Sequence, residues 1–451
     1  MYKTKNYRNF YLILLILFLL ISSSCKGTNS EITSIVIKPT PRKVELKINN
    51  FSIEGKKINL LDTNDDIIYF ISYKGTTDRI LENNISISKF DFISSKSTEL
   101  SKIDGFLNKS FSEKMVTYWK NYLFITEKDA SKIYLKRFNI LTSEEKTLLE
   151  RPVNSEQREE FFQPFSSSYN YIFERIILDS SSKKTMLYYI PEDRIFYKDM
   201  QYLLGLTPYE TENYLYYYIP QDTNTKIQIF KKPDIADDSQ QTITIDENQL
   251  LFGSNYEKDH LIFYNLSTCS LNYYDLNKLR VIKTCEIKDI ALQELLLPEQ
   301  KSYIFGLPNK EFDDFIVIPS INQKDTNVDF YRITYNENKN NFYQRKISID
   351  LSSYGSFDLL GWFLSKTEES GIKFLLKNKM DENIYLCTHN FDNNNTKLYP
   401  LYVKLEANYA IIDCSTTQNY IWFAKRLFDF NNPSASAEAQ DTIFYFKSPE
   451  S

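Results

Sequence analysis

A short strand-forming segment recurs along this chain at intervals of 43 to 57 residues. Each copy, here called the recurrent segment, opens on a polar residue or glycine and continues with aromatic and aliphatic residues, which fit the pleated, half-buried surface of a β-strand. The eight copies are residues 66–70, 121–124, 170–173, 213–216, 259–263, 314–317, 371–375 and 419–423. Periods of this length are typical of solenoids, propellers and repeat arrays.

The rest of each period contains further strand-forming runs. A polar turn follows the recurrent segment, and alternating runs come next, such as 132–138 and 145–149. With the apolar stretch before the segment, each period supplies three to four strands, which is the content of a propeller blade. The sequence therefore predicts an all-β fold, a β-propeller of eight blades or alternatively seven, forming a single domain over residues 31–451.

The two ends of the repeat region complement each other. The last period offers the recurrent segment at Asn419 and one further run, 442–446, so it is one strand short of a blade. An unassigned run lies near the N-terminus, at 32–37 or 44–48. Because an open sheet edge is a liability, we expect this N-terminal strand to complete the last blade beside residues 442–446.

Two stretches between the predicted blades favour short helices. Residues 155–162 begin at a serine and end before Pro164, and residues 289–297 begin at an aspartate and end before Pro298. Serine and aspartate are favoured at helix N-caps, and proline cannot continue a helix. Both stretches are predicted to be short helices or turns in the connections between blades.

Charge and glycine usage exclude two classes of ligand. The chain carries 54 basic and 59 acidic residues without a basic block, whereas nucleic-acid binding depends on clustered lysine and arginine. Glycine occurs 10 times, and no two glycines lie closer than six positions apart. A dinucleotide fingerprint or a phosphate-binding P-loop therefore has no place in this sequence. No nucleic acid, nucleotide or other cofactor is expected.

The first 25 residues have the layout of an export signal. Lys3, Lys5 and Arg8 precede an apolar run at 10–21, and three serines lead to Cys25. The run is shorter than the roughly 20 residues that span a bilayer, which favours a cleaved signal over a membrane anchor. We expect removal of residues 1–24, a flexible tether at 25–30, and lipid on Cys25 that attaches the protein to a bilayer.

This N-terminal segment resembles the lipobox of bacterial lipoproteins, in the loosened form of spirochaete lipoproteins, with Ser22 where the common pattern has a branched apolar residue. A lipid-anchored eight-bladed propeller is in turn similar in architecture to the barrel-assembly accessory lipoproteins of bacterial outer membranes. The chain lacks that family's glycine and tryptophan repeat signatures, since its only tryptophans are Trp119, Trp362 and Trp422. The resemblance implies a cell-envelope location, on the periplasmic side or the cell surface, and an envelope protein as partner.

Few residues are candidates for catalysis or metal binding. His260 and His389 are the only histidines, and we expect each to be a packed or a surface residue without a catalytic role because no nucleophile motif accompanies them. Cys387 and His389 share one face of a predicted strand, but two ligands without a second pair do not make a zinc site. No catalytic residue and no metal ligand is predicted.

Cys269 and Cys285 flank a predicted hairpin centred near Asn277. Matching distances from the turn place them on opposing strands, so one interpretation is a disulfide in an oxidising compartment. The other is two buried thiols, since cysteine is among the most buried residue types. The register of the hairpin decides between these interpretations.

Three acidic clusters are predicted to be solvated turns. None has the EF-hand spacing with its central glycine that calcium binding in such loops requires. Their members are Asp62, Asp65 and Asp66; Asp234, Asp237 and Asp238; and Glu311, Asp313 and Asp314.

Polar segments of variable length follow the recurrent segment and precede the next strand. They are residues 75–83, 179–184, 322–327, 378–382 and 431–440. In a propeller this shared position places loops on one face, where they vary without disturbing the blades. The sequence predicts a non-enzymatic protein-interaction or scaffold module. Two alternatives remain: an extracytoplasmic propeller enzyme acting on an envelope glycan, and a surface-exposed host-binding lipoprotein.

Overall fold

The structure is a computed structural model that describes residues 30–42, 46–75, 84–104, 116–119, 122–128, 131–142, 144–152, 171–177, 183–198, 208–219, 224–232, 241–246, 248–255, 258–297, 302–307, 314–319, 326–336, 341–364, 371–428 and 439–449. The chain divides into two compact units. One contains residues 208–323 and 329–348 with the N-terminal residues up to Val36, and the other contains residues 37–207, 324–328 and 349–451.

The described part of the chain holds no helix that is long and apolar enough to cross a membrane. Cys25 and the predicted helix at 155–162 lie outside the described residues.

Three short strands near the N-terminus join sheets that are formed by later parts of the chain. They are β1 (Ser30–Ile37), β2 (Thr40–Pro41) and β3 (Asn49–Ser52). Strand β2 pairs in parallel with residues Lys397 and Leu398. The other two are placed below with the sheets that they extend.

Three sheets follow in the unit that contains residues 37–207. Sheet I consists of β4 (Lys57–Asn64), β5 (Ile67–Tyr73), β6 (Asn84–Asp91) and β7 (Lys96–Asp104). Sheet II consists of β8 (Val116–Trp119), β9 (Tyr122–Lys128), β10 (Lys132–Asn139) and β11 (Glu145–Pro152). Sheet III consists of β12 (Tyr171–Ile177), β13 (Lys183–Tyr189) and β14 (Arg194–Lys198).

The other unit contains two further sheets and most of a third. Sheet IV consists of β15 (Pro208–Glu210), β16 (Tyr214–Ile219), β17 (Asn224–Lys231) and β18 (Gln241–Asp246). Sheet V consists of β19 (Gln249–Asn255), β20 (His260–Asn265), β21 (Ser270–Asp275) and β22 (Arg280–Glu286), and the helix α1 (Ile290–Leu295) follows it. Sheet VI consists of β23 (Ser302–Leu307), β24 (Asp314–Pro319), β25 (Asn327–Asn336) and β26 (Asn341–Asp350), with β1 added beside β26.

The unit that contains sheets I to III also takes in the last two sheets. Sheet VII consists of β27 (Phe357–Leu364), β28 (Gly371–Asn378), β29 (Asn383–Asn390) and β30 (Thr396–Lys404), with β2 beside β30. Sheet VIII consists of β31 (Tyr409–Thr416), β32 (Tyr420–Leu427) and β33 (Thr442–Lys447), with β3 beside β33.

The eight recurrent segments all form strands, as predicted. They become β5, β9, β12, β16, β20, β24, β28 and β32, and each lies in a different sheet of the described residues. Within each sheet, strands that are consecutive in sequence lie side by side, and those of sheet I pair antiparallel throughout. A succession of up-and-down sheets in an all-β chain is the topology of a β-propeller, which confirms the predicted fold class.

An N-terminal strand completes the last sheet, but it is not one of the runs predicted for this role. Strand β3 pairs antiparallel with β33, with Asn49 opposite Tyr445 and Ser52 opposite Thr442. It begins one residue after the predicted run 44–48, and residues 32–37 instead belong to β1 on sheet VI. The physical reason lies in Phe51, whose ring stacks on Phe90 of sheet I with the ring centroids 4.3 Å apart.

Sheets I and VIII pack against each other through one apolar core, which we call the seam. Phe70 and Phe90 of sheet I are buried in it together with Trp422, Ile443 and Tyr445 of sheet VIII. Burying a large apolar side chain of this kind contributes roughly 1.5–3 kcal/mol. The seam therefore holds the first and last sheets of the chain together by burial, in addition to the pairing of the N-terminal strand β3 with β33 within sheet VIII.

The helix α1 confirms the prediction for residues 289–297. The Asp289 carboxylate accepts a hydrogen bond from the Leu292 backbone N–H at 3.0 Å, which satisfies one of the free donors of the first turn. Leu292 and Leu296 are buried against Ile287 and Phe342. The helix is thus a capped connection after sheet V, held by its apolar side.

Candidate interaction surface

The five variable segments predicted for a binding face all connect the recurrent-segment strand of a sheet to the next strand. In order along the chain they lie between β5 and β6, β12 and β13, β24 and β25, β28 and β29, and β32 and β33. Adjacent antiparallel strands reverse direction at such connections, so each one lies at the corresponding end of its sheet. The predicted position of these segments is confirmed.

The length of this connection changes strongly from sheet to sheet. Strand β9 ends at Lys128 and β10 begins at Lys132, which leaves three residues, whereas β32 ends at Leu427 and β33 begins at Thr442, which leaves fourteen. Ten residues separate Tyr73 at the end of β5 from Asn84 at the start of β6. The two long connections of sheets I and VIII therefore belong to neighbouring sheets that share the seam.

A buried ionic cluster fixes the root of the longest connection. Asp441, at its C-terminal end, accepts hydrogen bonds from Nε and Nη2 of Arg426 at 3.0 and 2.7 Å and from the Ile58 backbone N–H at 2.7 Å. Arg426 also donates to the Ile58 carbonyl oxygen at 3.1 Å. Hydrogen bonds to charged groups are stronger than neutral ones, so this cluster holds the loop root against sheet I.

Lys57 adds a second cation to this cluster. Its Nζ lies 3.9 Å from Asp441 Oδ1, and its side chain is 1% exposed. Burial lowers the pKa of Lys57, and Arg426 lowers it further, while Asp441 acts in the opposite direction. Two buried cations thus share one carboxylate, which favours the neutral form of the lysine amine.

The short connection of sheet VII presents a methionine to solvent. The Asn378 side chain accepts a hydrogen bond from the Met380 backbone N–H at 2.8 Å and donates one to the Tyr354 carbonyl oxygen at 3.1 Å. Glu382 takes a left-handed conformation, with φ at 60°, and closes the turn. Asparagine favours such turns because its side chain satisfies the backbone locally. Met380, at the tip, is 88% exposed.

An exposed tyrosine lies near the same end of sheet VII. Tyr402 interrupts the pairing of β29 with β30, between the pairs Asn383 with Lys404 and Tyr385 with Pro400. Its φ is 52° and it is 68% exposed. The left-handed region costs a non-glycine residue roughly 1–2 kcal/mol. Burial raises the pKa of Tyr385, and Asp381 and Tyr402 raise it further.

Ion pairs surround these two side chains. Lys377 lies 3.8 Å from Glu382, and Lys379 lies 3.2 Å from Asp358. In sheet VIII, Lys425 donates to Glu406, and this hydrogen bond lowers the pKa of the Glu406 carboxyl. Lys377, Lys379 and Lys425 are thus each paired with a carboxylate of the protein itself.

Asp66 is a correction to the sequence prediction. It was expected in a solvated turn, but it is buried and accepts hydrogen bonds from the side chain of Thr417 and from the backbone and side chain of Asn419. Asp65 is exposed, and Asp62 accepts from the Thr63 backbone N–H at 2.7 Å. Of the other clusters, residues 234–238 and 311–313 lie outside the described residues, and Asp314 begins β24.

The same arrangement occurs between sheets IV and V. Asp259 accepts from the Thr211 hydroxyl at 2.8 Å, from the Asn213 backbone N–H at 2.9 Å and from Asn213 Nδ2 at 2.6 Å. Both donor turns read Thr-x-Asn-Tyr in the sequence. The repeated tetrapeptide is a sequence pattern that predicts this contact, which the other sequence features did not indicate.

Both histidines are buried. His389 Nδ1 lies 2.8 Å from Thr396 Oγ1, and the ring packs edge-on against Phe391. His260 is in β20 and is also buried. Burial raises the pKa of the Cys387 thiol to about 12. Among the described residues, no group of three or more histidine, cysteine, aspartate or glutamate side chains is placed to hold a metal ion.

The register of sheet V does not place Cys269 opposite Cys285. Cys285 lies opposite Leu271, and the Ile287 backbone N–H donates to the Cys269 carbonyl oxygen. Both thiols are free, and burial raises the pKa of Cys285 to about 12. This register differs from the predicted opposition because Asp275 pairs with Arg280, which would bring Cys285 opposite Ser270, and the bulge at Ile282 moves it one residue further, to Leu271. Cys285 is a buried core thiol in this structure.

The first strand of several sheets contains a bulge at a matching position. The pairing shifts between Leu60 and Asp62 in β4 and between Ile411 and Asp413 in β31. Asp413 is accessible to solvent, yet the surrounding protein raises the pKa of its carboxyl by desolvation. The alternative prediction, an enzyme acting on an envelope glycan, would need two or more carboxylates of this kind close together.

Comparisons with known proteins identify no family for this chain. No protein-family model matches it, and no curated protein matches it. One similar solved structure is a prolyl endopeptidase, with 9% identity over 83% of this chain and 54% of that chain and a TM-score of 0.41. Another is oligopeptidase B from Leishmania major, with 9% identity over 84% of this chain and 54% of that chain and a TM-score of 0.43. The β-propeller domain of the trilobed protease from Pyrococcus furiosus also matches, with 9% identity over 78% of this chain and 100% of that chain and a TM-score of 0.39.

The present chain spans about half the length of the two peptidases. At 9% identity and TM-scores below 0.5, these similarities carry no activity over to it.

Proposed function

We propose that this protein is a lipid-anchored cell-envelope module that binds a protein partner without turnover. The binding face is formed by the connections that follow the recurrent-segment strands. Sheets I to VIII are proposed to be the eight blades of one propeller domain over residues 31–451, with seven blades as the alternative. Lipid on Cys25 attaches this domain to a membrane.

The observation that carries the proposal is the contrast between variable connections and regular sheets. The connections range from three to fourteen residues, while the flanking strands keep continuous antiparallel pairing, as in β5 with β6 and β32 with β33. Loops that vary on a rigid scaffold are the usual location of binding residues. The buried Arg426–Asp441 pair supports this role because it anchors the longest loop without occupying its exposed part.

Replacing both long loops tests the binding role. Residues 76–83 and 429–438 would each be exchanged for Asn-Gly turns, keeping Asp441 in place, and partner capture measured after cross-linking in live cells. We expect capture to disappear while the melting temperature changes little. The control exchanges the exposed Ile93 and Ser94, at the other end of sheet I, for aspartate and asparagine, keeps the buried Phe92, and should leave capture intact.

Two results would contradict the binding role. The face is wrongly assigned if capture survives the loop exchange and disappears in the control variant. Binding without turnover is wrong if the purified protein degrades an envelope glycan.

Lipid attachment has its own test. Cys25→Ala should move the full-length protein from the detergent phase to the aqueous phase and abolish fatty-acid labelling, because the thiol is the acylation site. Cys269→Ala is the matched control, since Cys269 is a free thiol elsewhere in the chain. Unchanged detergent partitioning of Cys25→Ala would end the lipoprotein proposal.

A further inference from the structure

Strand β1 is the first described part of the chain after the proposed lipid attachment site. It begins at Ser30, so only residues 26–29 separate it from Cys25. The chain from residue 25 to residue 30 spans at most about 18 Å when it is fully extended. With lipid on Cys25, the start of β1 therefore lies within that distance of the bilayer surface.

The chain beyond Ser30 is fixed to the sheets and adds no length to this tether. Strand β1 lies beside β26 in sheet VI. Pro39 is buried, and its carbonyl oxygen accepts a hydrogen bond from the Tyr354 hydroxyl at 3.1 Å. The Arg42 backbone N–H donates to the Leu398 carbonyl oxygen at 3.0 Å, next to the pairing of β2 with β30. The bilayer is thus brought close to the outer edge of sheet VI.

That outer edge is formed by β1 itself. Strand β1 is the last strand of sheet VI, and its outer side pairs with no other described strand. Thr33 and Ser34 are exposed, and Val36 is 66% exposed. Edge strands are usually protected by charged side chains or by a cover. The edge of β1 instead presents an aliphatic side chain on the part of the protein nearest to the lipid attachment site.

The charge of this segment selects the kind of surface that it meets. Residues 26–43 contain four basic residues and one acidic residue, whereas the whole chain has 54 basic and 59 acidic residues. Lys38 directly follows β1 and is 75% exposed, with Asp350 at 4.0 Å, and an exposed pair of this kind contributes little. Basic residues beside a lipid attachment site are attracted by anionic lipid headgroups.

We infer that the outer edge of β1 faces the bilayer that holds the lipid on Cys25, with Val36 and Lys38 at the level of anionic lipid headgroups. This inference rests on the proposed lipid attachment and adds the side of the protein that meets the membrane. The loops proposed for partner binding are connections at strand ends, so the inferred contact uses none of them.

Quenching by lipid in vesicles tests this contact. The full-length acylated protein would carry the fluorescent residue acridonylalanine at Ser34, at Val36 or at Ile93. The vesicles would contain phosphatidylglycerol and a phosphatidylcholine with a nitroxide on its headgroup, which quenches a nearby fluorophore. We expect loss of fluorescence at positions 34 and 36 and no loss at 93. Ile93 is the matched control because it is 71% exposed and lies in a turn of sheet I.

Flotation of the same samples reads the lipid attachment separately. A protein that floats with the vesicles but loses as much fluorescence at 93 as at 36, or none at either position, overturns this inference and leaves the lipid attachment standing. A protein that does not float overturns both.

Charge reversal tests the role of anionic headgroups. With the fluorophore at position 36, Lys38→Glu should weaken the quenching roughly twofold or more, because the nearest exposed cation becomes an anion. Lys102→Glu is the matched control, since Lys102 is 58% exposed and also has a carboxylate neighbour, Glu99 at 3.6 Å. Equal quenching in these two variants would overturn the assignment of anionic headgroups.

Photo-cross-linking in live cells distinguishes the bilayer from other occupants of this edge. Benzoylphenylalanine at Val36 of the full-length protein should give adducts to phospholipid, and the same residue at Ile93 should give none. A free strand edge can also pair with a strand of another chain. Adducts from position 36 only to another protein, or only to a second copy of this chain, would overturn the inference.

Discussion

Asn419 donates two hydrogen bonds to Asp66, which lies 353 residues earlier in the chain: the backbone N–H reaches Oδ1 at 2.8 Å and the side-chain amide reaches Oδ2 at 2.7 Å. Thr417 adds a third bond to Oδ1 at 2.8 Å. Asp66 lies in the turn between β4 and β5 of sheet I, and Asn419 in the turn between β31 and β32 of sheet VIII. The contact therefore joins the first and last sheets at their turns, next to the seam core.

Removing this carboxylate should loosen the first sheet from the last. Asp66→Ala leaves the three donors of residues 417–419 without their acceptor. Hydrogen bonds to charged groups contribute about 1.5–3 kcal/mol each, and structural relaxation and water recover part of that loss. We expect a loss of about 3 kcal/mol in the free energy of unfolding, measured by urea denaturation. Asp259→Ala should cost at least as much, since Asp259 accepts the corresponding three bonds and a fourth from Asn277 Nδ2 at 3.3 Å.

The neighbouring Asp65→Asn serves as the control for that series. Asp65 is exposed with φ at 50°, a conformation that asparagine tolerates. A denaturation midpoint that is the same in Asp66→Ala, Asp65→Asn and the wild type would show that the contact does not contribute to stability.

Replacing Lys57 should stabilise the protein at neutral pH. Burial lowers the pKa of Lys57 from 10.5. Between the folded and the unfolded pKa the unfolded chain therefore binds more protons than the folded protein, and stability rises with pH across that interval. Lys57→Met removes that dependence. Asp441 keeps its bonds to Arg426, so we expect a gain of about 1 kcal/mol at pH 7 that vanishes towards pH 10.5.

The measurement is urea denaturation of both proteins from pH 7 to pH 10. The difference between them isolates Lys57, because tyrosines with raised pKa values such as Tyr73 and Tyr331 are common to both. Lys56→Met, one residue earlier and less buried, should show no such pH-dependent gain. A Lys57→Met protein that is less stable than the wild type at every pH would mean that the lysine is charged and paired.

Gly361 and Cys414 should be energetically coupled. A Cβ atom at position 361 would lie 2.7 Å from Cys414 Sγ of the next sheet, and overpacking of this kind costs about 1–3 kcal/mol. We expect Gly361→Ala to lower the thermal midpoint and Cys414→Ala to restore most of the loss in the double variant. At Gly371 a Cβ atom would meet the His389 carbonyl oxygen at 2.7 Å, so Gly371→Ala should not be rescued by Cys414→Ala. Additive effects of the first pair would contradict the contact.

Leu279→Gly should stabilise sheet V. Leu279 has φ at 52° in the turn between β21 and β22. Glycine adopts this conformation without strain, but it costs more backbone entropy on folding. The relief of strain is the larger effect, so we expect a net gain of up to about 1 kcal/mol in the free energy of unfolding. Leu279→Ala keeps a Cβ atom and should give no gain, which makes it the matched control. The check is the thermal midpoint of both variants, and equal shifts would argue that loss of the exposed side chain, not backbone strain, is responsible.

The strands and one helix were predictable because their signals are local. The recurrent segments combine aromatic and aliphatic residues after a polar turn, and each forms a strand in its own sheet. Residues 289–297 carry an N-cap and an apolar face within one short stretch, and α1 lies there. The position of the variable loops followed from the same order of segments. Of the candidate surface, the sequence located the loops but not Tyr402.

The remaining features depend on partners that are far apart in the chain. The packing of Phe51 on Phe90 decided which N-terminal run completes sheet VIII. Local sequence predicts a solvated Asp66, because the residues that donate hydrogen bonds to it lie near residue 419. A bulge of one residue moved Cys285 opposite Leu271. The sequence by itself determined the strands, their order and the all-β class, because alternation and turn residues act over a few positions. Tertiary structure alone decided the seam, the buried ionic cluster and the strained Tyr402, because burial and pairing between distant residues outweigh local preference.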